Sequence, residues 1–345
     1  MICKKWNCDE WNTYVIAEIG NNHQGSLENA LNMIKVAKEY CNVDAVKFQK
    51  RDNKVLFTKE FYEEPYLGKN SFGATYGEHR EALELGKNDF IEIRDYCQSI
   101  GVDLLVTPFD IQSVDLLEDI GIHYYKIASS DIDNIPLIEY IAERAEALFV
   151  STGCSSLEDI DCALETIMKY QEKVALLHCI CKYPPDINEC NLNSINVLKD
   201  RYNNVVLGYS GHELGNETSL IAHAMGAKII ERHFTLDKNL PGSDHKISLN
   251  PEEMKQLVDS LAIVDSMLGK YEKIKYDYEK AAKRKLGKGL YANNNIAMGS
   301  VITIDDIAIK SPTACIAPVE IKKVVGRKAA SDICKGEPVK WEDIE

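Results

Sequence analysis

The chain has 345 residues, of which 45% are hydrophobic and 27% are charged, as is typical of a globular protein with one large domain and a small one. Its formal net charge of −14 argues against DNA or RNA as a partner, because phosphate backbones need a basic surface. No segment reaches the roughly 20 apolar residues of a membrane span, and none resembles a signal peptide. We therefore expect small-molecule partners, with no nucleic acid and no membrane.

Short, β-branched-rich apolar segments alternate with amphipathic ones over the first 270 residues or so. Their period predicts eight strands, each followed by a helix. The predicted strands are residues 14–19, 45–48, 103–107, 124–127, 147–151, 174–178, 205–209 and 229–233. The predicted helices are residues 27–40, 87–99, 113–119, 136–145, 157–170, 192–200, 217–225 and 252–268.

Eight strand–helix units with almost continuously apolar strands predict an α/β fold, a (β/α)8 TIM barrel, over residues 1–269. The alternative is an open doubly wound sheet. Eight repeats, and a first strand that is not followed by a GxGxxG turn, favour the barrel.

The pattern changes after the last predicted helix. Residues 270–285 are charged and predict a helical linker, and residues 286–345 predict a small β-rich domain with one short helix near 318–324. Residues 51–84, between the second strand and its helix, form an insertion too long for an ordinary βα loop, which is typical of a lid or a binding loop.

Each predicted strand ends in polar or ionisable residues, and the active sites of TIM barrels lie at that end of the strands. Lys47 and Lys126 stand inside apolar segments, where an unpaired charge is costly, so we expect an anion or an ion pair beside them. Together with neighbouring hydroxyls they would form a phosphate or carboxylate cradle. The predicted hydroxyl groups are those of Thr107, Ser129, Ser151 and Ser210.

Two histidines, His212 and His233, lie at the ends of neighbouring predicted strands. Neutral imidazoles bind first-row divalent metals, so this pair predicts a metal site with open positions for water and substrate. A structural role for each histidine is the alternative.

The eleven cysteines are scattered and odd in number. They contain no CxxC pair and no zinc-finger spacing, so we expect reduced thiols and a cytoplasmic protein. Cys179 and Cys181 next to His178 could form a metal site, but buried thiols are more often core residues.

Several motifs together resemble the sialic acid synthase family, over nearly the whole chain. They are residues 17–25 (AEIGNNHQG), 47–49 (KFQ), 75–80 (TYGEHR), 126–129 (KIAS), 208–213 (GYSGHE), 231–235 (ERHFT) and 242–245 (GSDH). The residues from 286 onward resemble the antifreeze-like (SAF) domain of that family.

The resemblance implies a carbon–carbon bond-forming transferase that condenses phosphoenolpyruvate with N-acetylmannosamine or a related amino-sugar aldehyde, giving a nine-carbon 3-deoxy-2-keto acid. It implies Glu18 and Lys126 as catalytic residues, and a Mn²⁺ or Mg²⁺ ion on His212 and His233. Phosphoenolpyruvate would contact Lys47, Thr107, Lys126, Ser129, Ser151 and Ser210. The sugar would contact Gln49, Asn70, Tyr183 and Asp244. A domain-swapped homodimer, with the SAF domain over the partner's site, is also implied.

Three positions differ from the family pattern, namely Cys181, Asp131 and Ser311, the last of which replaces an arginine that contacts the sugar. A 6-phosphorylated sugar and the precursors of legionaminic or pseudaminic acid remain alternative acceptors. An octulosonate or heptulosonate phosphate synthase is a further alternative, but such barrels do not carry the C-terminal domain. A non-catalytic SAF-bearing binding protein is the alternative of another class.

Overall fold

The structure is a computed structural model that describes residues 13–345. It divides into two compact units, one extending to Gly269 and the other spanning Lys270–Glu345. None of the helices within residues 13–345 is long and apolar enough to cross a membrane.

The first unit is a closed barrel of eight parallel strands, each paired with its sequence neighbours and the last with the first. The prediction of a (β/α)8 barrel is therefore confirmed, and the open sheet was wrong because the eighth strand pairs with the first. The strands are β1 (Tyr14–Gly20), β2 (Ala45–Lys50), β3 (Asp103–Pro108), β4 (Tyr124–Ile127), β5 (Ala147–Ser151), β6 (Val174–Cys179), β7 (Val206–Gly211) and β8 (Ile229–His233).

Helices follow the strands at the predicted places, with ends that differ by a few residues. Ser26 and Asn250 accept hydrogen bonds from the first turns of their helices, as N-cap residues do. The helices are Leu27–Lys35, Lys87–Ile100, Ile111–Asp119, Ile135–Ala142, Leu157–Ile167, Asn193–Arg201, Glu217–Ala224 and Pro251–Leu268. A π-helical turn, Val36–Tyr40, extends the first of them.

Alternation of side chains along the strands creates two apolar layers. Residues that point outward pack under the helices in one large cluster. Residues that point inward fill the barrel itself, among them Ile16, Leu105, Phe149 and Leu177. Because successive side chains point to opposite faces, the next inward position along each strand lies above this apolar layer, at the carboxyl ends. That is where the predicted site residues lie.

The insertion 51–84 contains short helices at Asn53–Leu56, Lys59–Tyr62 and Tyr76–Ala82. It is anchored to the barrel by an ion pair between the buried Lys50 and Glu84, 3.0 Å apart.

The second unit begins with a short helix, Lys280–Leu286, within the predicted linker. Its antiparallel strands β9 (Gly289–Ala292) and β10 (Ile307–Lys310) enclose a small apolar core. The predicted short helix is Ile321–Val324. Isolated bridges, rather than long strands, connect the remaining backbone of this unit.

Candidate active site

An open cavity of about 380 Å³ lies at the carboxyl ends of the barrel strands. Every site residue predicted from the sequence lines it, with the exception of Asn70. Those residues are Glu18, Lys47, Gln49, Thr107, Lys126, Ser129, Ser151, Tyr183, Ser210, His212, His233 and Asp244. The strand ends therefore converge on one site, as the barrel geometry requires.

Glu18 is held by two neighbours on β2. Its side chain is 2% exposed; Oε2 lies 2.8 Å from the Lys47 ammonium group, and Oε1 accepts a 2.7 Å hydrogen bond from Gln49. The register of the barrel places Glu18 beside Lys47 on one side and His233 on the other. Its carboxylate is thus fixed between the predicted anion cradle and the predicted metal pair.

Glu231 connects the two lysines, and the sequence analysis did not select it as a site residue. Its Oε1 lies 2.7 Å from the Lys126 ammonium group and 3.6 Å from that of Lys47, and it accepts a 3.2 Å hydrogen bond from Ser210. The spacing of two residues from His233 on β8 was the available signal, because it places both side chains inside the barrel.

These ion pairs compensate the positive charges of the buried lysines. Burial by itself raises the pKa of the Glu231 carboxyl, but the ammonium groups of Lys126 and Lys47 outweigh it and bring the pKa to about 2. Burial lowers the pKa of Lys47, and the carboxylates of Glu18 and Glu231 outweigh that effect, so the pKa is raised. Glu231 and Lys47 are therefore both charged at neutral pH.

The predicted hydroxyl groups surround the lysines. Thr107 accepts a 3.2 Å hydrogen bond from Lys47, and Ser129 accepts one of 3.0 Å from the backbone N–H of Gly153. The Ser151 hydroxyl is buried and, among the described residues, has no hydrogen-bond partner. An unsatisfied buried hydroxyl beside two ammonium groups suits an anionic ligand that accepts hydrogen bonds.

His212 and His233 meet as predicted, with ring centroids 5.3 Å apart. The Nδ1 atom of His212 lies 3.0 Å from the carbonyl oxygen of Ile180, which places the proton on Nδ1 and leaves Nε2 available. The Nδ1 atom of His233 is buried and has no hydrogen-bond partner within residues 13–345. Burial lowers the pKa of both imidazoles, so both are neutral at pH 7. Tyr183 packs against His212, with ring centroids 4.1 Å apart.

Within the described part of the chain, no group of three or more His, Cys, Asp or Glu side chains is arranged to hold a metal ion. This includes Cys179 and Cys181, and the neighbouring His178 instead lies 2.8 Å from the carbonyl oxygen of Cys190. The histidine pair can therefore supply two ligands, and a metal there would keep positions open.

Asp244 and Asn70 lie at the edge of the cavity. Asp244 Oδ2 is 3.9 Å from His233 Nδ1, and Asp244 lines both the main cavity and a smaller neighbouring one. Asn70 lines only the smaller cavity, where its Oδ1 accepts a 3.3 Å hydrogen bond from the backbone of Gly242.

Two arginines from the insertion also line the main cavity, and the sequence analysis did not select them. Arg51 stacks on the ring of Phe109 at 3.8 Å and donates a 2.6 Å hydrogen bond to Gln49. Burial, and next the charge of Arg80, lower the pKa of Arg51 to about 9. The Nη1 atom of Arg51 and the Nε atom of Arg80 are buried without a hydrogen-bond partner among the described residues. Arg51 and Arg80 form a second candidate anion site.

Comparisons with known proteins show which proteins this chain resembles. The chain is 36% identical to N-acetylneuraminate-9-phosphate synthase of Drosophila melanogaster, over 94% of each chain. It is 35% identical to N,N'-diacetyllegionaminic acid synthase of Legionella pneumophila, over 96% of this chain and 94% of the relative. The crystal structure of an N-acetylneuraminic acid synthetase from Leptospira borgpetersenii is similar, with a TM-score of 0.70 and 33% identity, over 79% of this chain and 90% of that one.

Family models match both units of the chain. The NeuB family model matches residues 33–273, and the SAF domain model matches residues 287–345. The resemblance inferred from the motifs is thereby confirmed, including the antifreeze-like domain after the barrel. The chain belongs to the NeuB family of sialic acid synthases and carries a SAF domain at its C-terminal end.

Proposed function

We propose that the protein condenses phosphoenolpyruvate with the aldehyde of N-acetylmannosamine or a related amino sugar, giving a nine-carbon 3-deoxy-2-keto acid and phosphate. The proposal rests on the lining of one cavity. Two lysines, four hydroxyls and a histidine pair converge there around one carboxylate, Glu18. Support comes from the relatives, which are a 9-phosphosialate synthase and a legionaminic acid synthase by name.

Phosphoenolpyruvate would occupy the side of the cavity lined by the lysines. Lys47 and Lys126 hold its phosphate and carboxylate groups, and the hydroxyl of Ser151 donates a hydrogen bond to one of their oxygens. Ser210, whose hydroxyl donates to Glu231, lines the same side of the cavity. Thr107 and Ser129 complete this cradle. The acceptor sugar would lie opposite, toward Gln49, Tyr183 and Asp244, with Asn70 at the margin.

A divalent cation, Mn²⁺ or Mg²⁺, is part of the proposal. His212 and His233 would hold it, because both imidazoles are neutral and the His233 Nδ1 atom is buried without a hydrogen-bond partner among the described residues. When bound, such an ion supplies Lewis-acid polarisation of the aldehyde oxygen. Activity should disappear with a chelator and return with Mn²⁺. Isothermal titration of Mn²⁺ should show that His233→Ala loses the site, and unchanged Mn²⁺ binding by that variant would remove the histidines from this role.

Glu18 performs the proton transfers in this reaction. The C3 atom of phosphoenolpyruvate forms a bond to the aldehyde carbon, water adds to C2, and phosphate leaves as the C2–O bond breaks. One proton of the adding water passes through Glu18 to the oxygen of the new hydroxyl group. The other leaves the C2 hydroxyl with the departing phosphate as the keto group forms. Lys47 and Gln49 fix the orientation of Glu18 through contacts of 2.8 and 2.7 Å, so the base is positioned before substrate arrives.

A specific observation favours a phosphorylated acceptor. Arg51 and Arg80 face the same cavity as the cradle, and each has a buried nitrogen without a hydrogen-bond partner among the described residues. Glu84 is 3.8 Å from Arg51 Nη1, a long ion pair that leaves bidentate recognition of a phosphate available. We therefore propose the sugar 6-phosphate as the preferred acceptor.

The test is phosphate release from phosphoenolpyruvate with Mn²⁺ and each of four acceptors. These are N-acetylmannosamine, its 6-phosphate, and the dideoxy precursors of legionaminic and pseudaminic acid. We expect the highest kcat/KM with the 6-phosphate. Arg80→Gln should raise KM for that acceptor by roughly ten- to hundredfold and leave KM for phosphoenolpyruvate unchanged.

Lys59→Gln is the matched control, because Lys59 lies on the same insertion and its side chain is 80% exposed. Equal effects of the two substitutions would contradict phosphate recognition by Arg80. Phosphate release with none of the four acceptors would contradict the condensation itself and favour a non-catalytic binding protein.

The swapped homodimer implied by the resemblance is also proposed, with the SAF unit over the partner's site. Ser311 stands where the family has an arginine, and Lys288 donates a hydrogen bond to its hydroxyl. A cationic group is thus retained at this position although the arginine is not. Light scattering should give twice the 38.8 kDa chain mass, and a monomer would contradict the proposal.

We also propose a cytoplasmic location. All nine cysteines within residues 13–345 are free thiols, and Cys3 and Cys8 lie outside the described residues. Reduced thiols in this number suit a reducing compartment. Fractionation of the source cells, followed by immunoblotting, should place the protein in the cytosolic fraction, and recovery from the membrane or the medium would contradict this.

A further inference from the structure

Three cysteines line the cavity beside the anion cradle. Cys154 follows β5 and is exposed, Cys179 ends β6 and is buried, and Cys181 is partly exposed. The proposed reaction uses none of these thiols.

The thiol of Cys181 lies at the centre of the cluster. Its neighbours include the thiols of Cys154 and Cys179 and the hydroxyl of Ser129, and all four residues line the same cavity. The Cys181 sulfur and the Ser129 oxygen both lie next to Gly153, because a Cβ atom added there would lie 2.6 Å from the sulfur and 2.8 Å from the oxygen. Cys181 is therefore in contact with the phosphoenolpyruvate side of the cavity.

Cys154 has an unusual backbone conformation. Its φ of +56° lies in the left-handed region, which non-glycine residues seldom adopt. In this conformation its side chain reaches the Cys181 thiol while remaining accessible from solvent. An accessible thiol next to a second thiol is the arrangement in which a sulfenic acid is resolved to a disulfide.

We propose that Cys154 and Cys181 form an oxidation site, at which a peroxide converts the two thiols to a disulfide that narrows the phosphoenolpyruvate cradle beside Ser129. The Cys154 thiolate attacks the peroxide oxygen, giving a sulfenic acid and one water. The Cys181 sulfur then displaces hydroxide from that sulfenic acid, which leaves as a second water. Two thiols and one hydrogen peroxide thus give one disulfide and two waters, and a dithiol reverses the change.

Three features determine how the site behaves. The sulfurs must approach to about 2.05 Å in the disulfide, and the exposed Cys154 side chain can make that movement. Because Cys181 contacts Ser129 and Gly153, the movement disturbs the cradle. Hydrogen bonding to Cys181 raises the pKa of the Cys154 thiol, so oxidation by peroxide should accelerate as the pH rises toward 9.

Cys179 is less suited to this role. It is 4% exposed, and its sulfur lies 3.9 Å from the Nδ1 atom of His212. It is left unchanged in the test, because a substitution there would disturb the histidine pair.

The test treats the full-length protein with hydrogen peroxide, blocks the remaining thiols, and maps disulfides by mass spectrometry after tryptic digestion. Cleavage at lysine and arginine places Cys154 in the peptide 145–169 and Cys181 in the peptide 174–182. We expect a cross-link between these peptides that disappears on treatment with dithiothreitol. The cross-link should be absent in Cys154→Ser and in Cys181→Ser, and present in Cys162→Ser, which removes the other cysteine of the first peptide.

Bound phosphoenolpyruvate should slow the cross-linking, and the oxidised protein should bind phosphoenolpyruvate about tenfold more weakly, measured by titration. A disulfide between Cys179 and Cys181, or a cross-link that survives in Cys154→Ser, would overturn the inference. So would unchanged phosphoenolpyruvate binding by the fully cross-linked protein. The effect on binding rests on the proposed function, but the cross-link is read by mass alone, so the two can fail separately.

Discussion

Glu231 is the residue at which the electrostatics of the site can be tested most directly. It is 4% exposed and pairs with Lys126 at 2.7 Å and Lys47 at 3.6 Å. With an effective dielectric constant of about 20, Coulomb's law gives gross attractions of about 6 and 5 kcal/mol. Desolvation of the three charges offsets much of this, and the loss of one partner from a buried pair costs about 3–5 kcal/mol. Because Glu18 still pairs with Lys47, we expect the lower end of this range. Glu231→Gln should lower the free energy of unfolding by about 3 kcal/mol.

Urea denaturation at pH 7 measures this loss, with Glu165→Gln as the matched control. Glu165 is exposed on the helix Leu157–Ile167, and its substitution should change the free energy of unfolding by less than about 0.5 kcal/mol. Phosphoenolpyruvate brings negative charge to both lysines, so it should raise the Tm of Glu231→Gln more than that of the wild type. Equal stability of the two variants would refute the assignment of Glu231 as the group that holds the lysines.

Three further predictions follow from single residues. Glu18→Gln should abolish phosphate release while a titration still detects phosphoenolpyruvate binding, and near-normal turnover would remove Glu18 from proton transfer. Gly153→Ala should lower the free energy of unfolding by about 1–3 kcal/mol, because the new Cβ would lie 2.6 Å from the Cys181 sulfur; adding Cys181→Ala should recover part of it. Burial lowers the pKa of His23 from 6.5 to about 4. Between these two pH values the unfolded state therefore binds protons more strongly than the folded state, and the free energy of unfolding falls as the pH is lowered. Between pH 7.5 and pH 5, His23→Gln should lose about 2 kcal/mol less free energy of unfolding than the wild type. Urea denaturation at the two pH values measures this, and the same pH dependence in both proteins would contradict it.

The fold was predictable because its signals are local. Each barrel strand is a short segment that is apolar almost throughout, and an amphipathic segment follows it. Some of these amphipathic segments begin with a recognisable N-cap residue, such as Ser26 or Asn250. A residue at the end of a parallel strand must lie at the rim whatever surrounds it. This is why Glu18, His212 and His233 were found without any knowledge of their contacts.

The contacts that join different parts of the chain were not predictable in this way. The pairing of Glu231 with Lys126 spans more than a hundred residues, and nothing near either residue in the sequence indicates it. Arg51 and Arg80 reach the cavity because the insertion folds back over the barrel. Asn70 lies on the same insertion, and its side chain lines the neighbouring small cavity instead.

The charges that line the cavity explain why a divalent cation belongs in the proposal. Four cationic side chains, those of Lys47, Lys126, Arg51 and Arg80, face three carboxylates, Glu18, Glu231 and Asp244. The lining therefore has one excess positive charge, whereas phosphoenolpyruvate carries about three negative charges near pH 7. Glu231 cannot be protonated to relieve this, because the lysines hold its pKa near 2. A divalent ion, if held as proposed by the two neutral histidines, would supply the remaining positive charge without disturbing the ion pairs that hold Glu18 and the lysines in place.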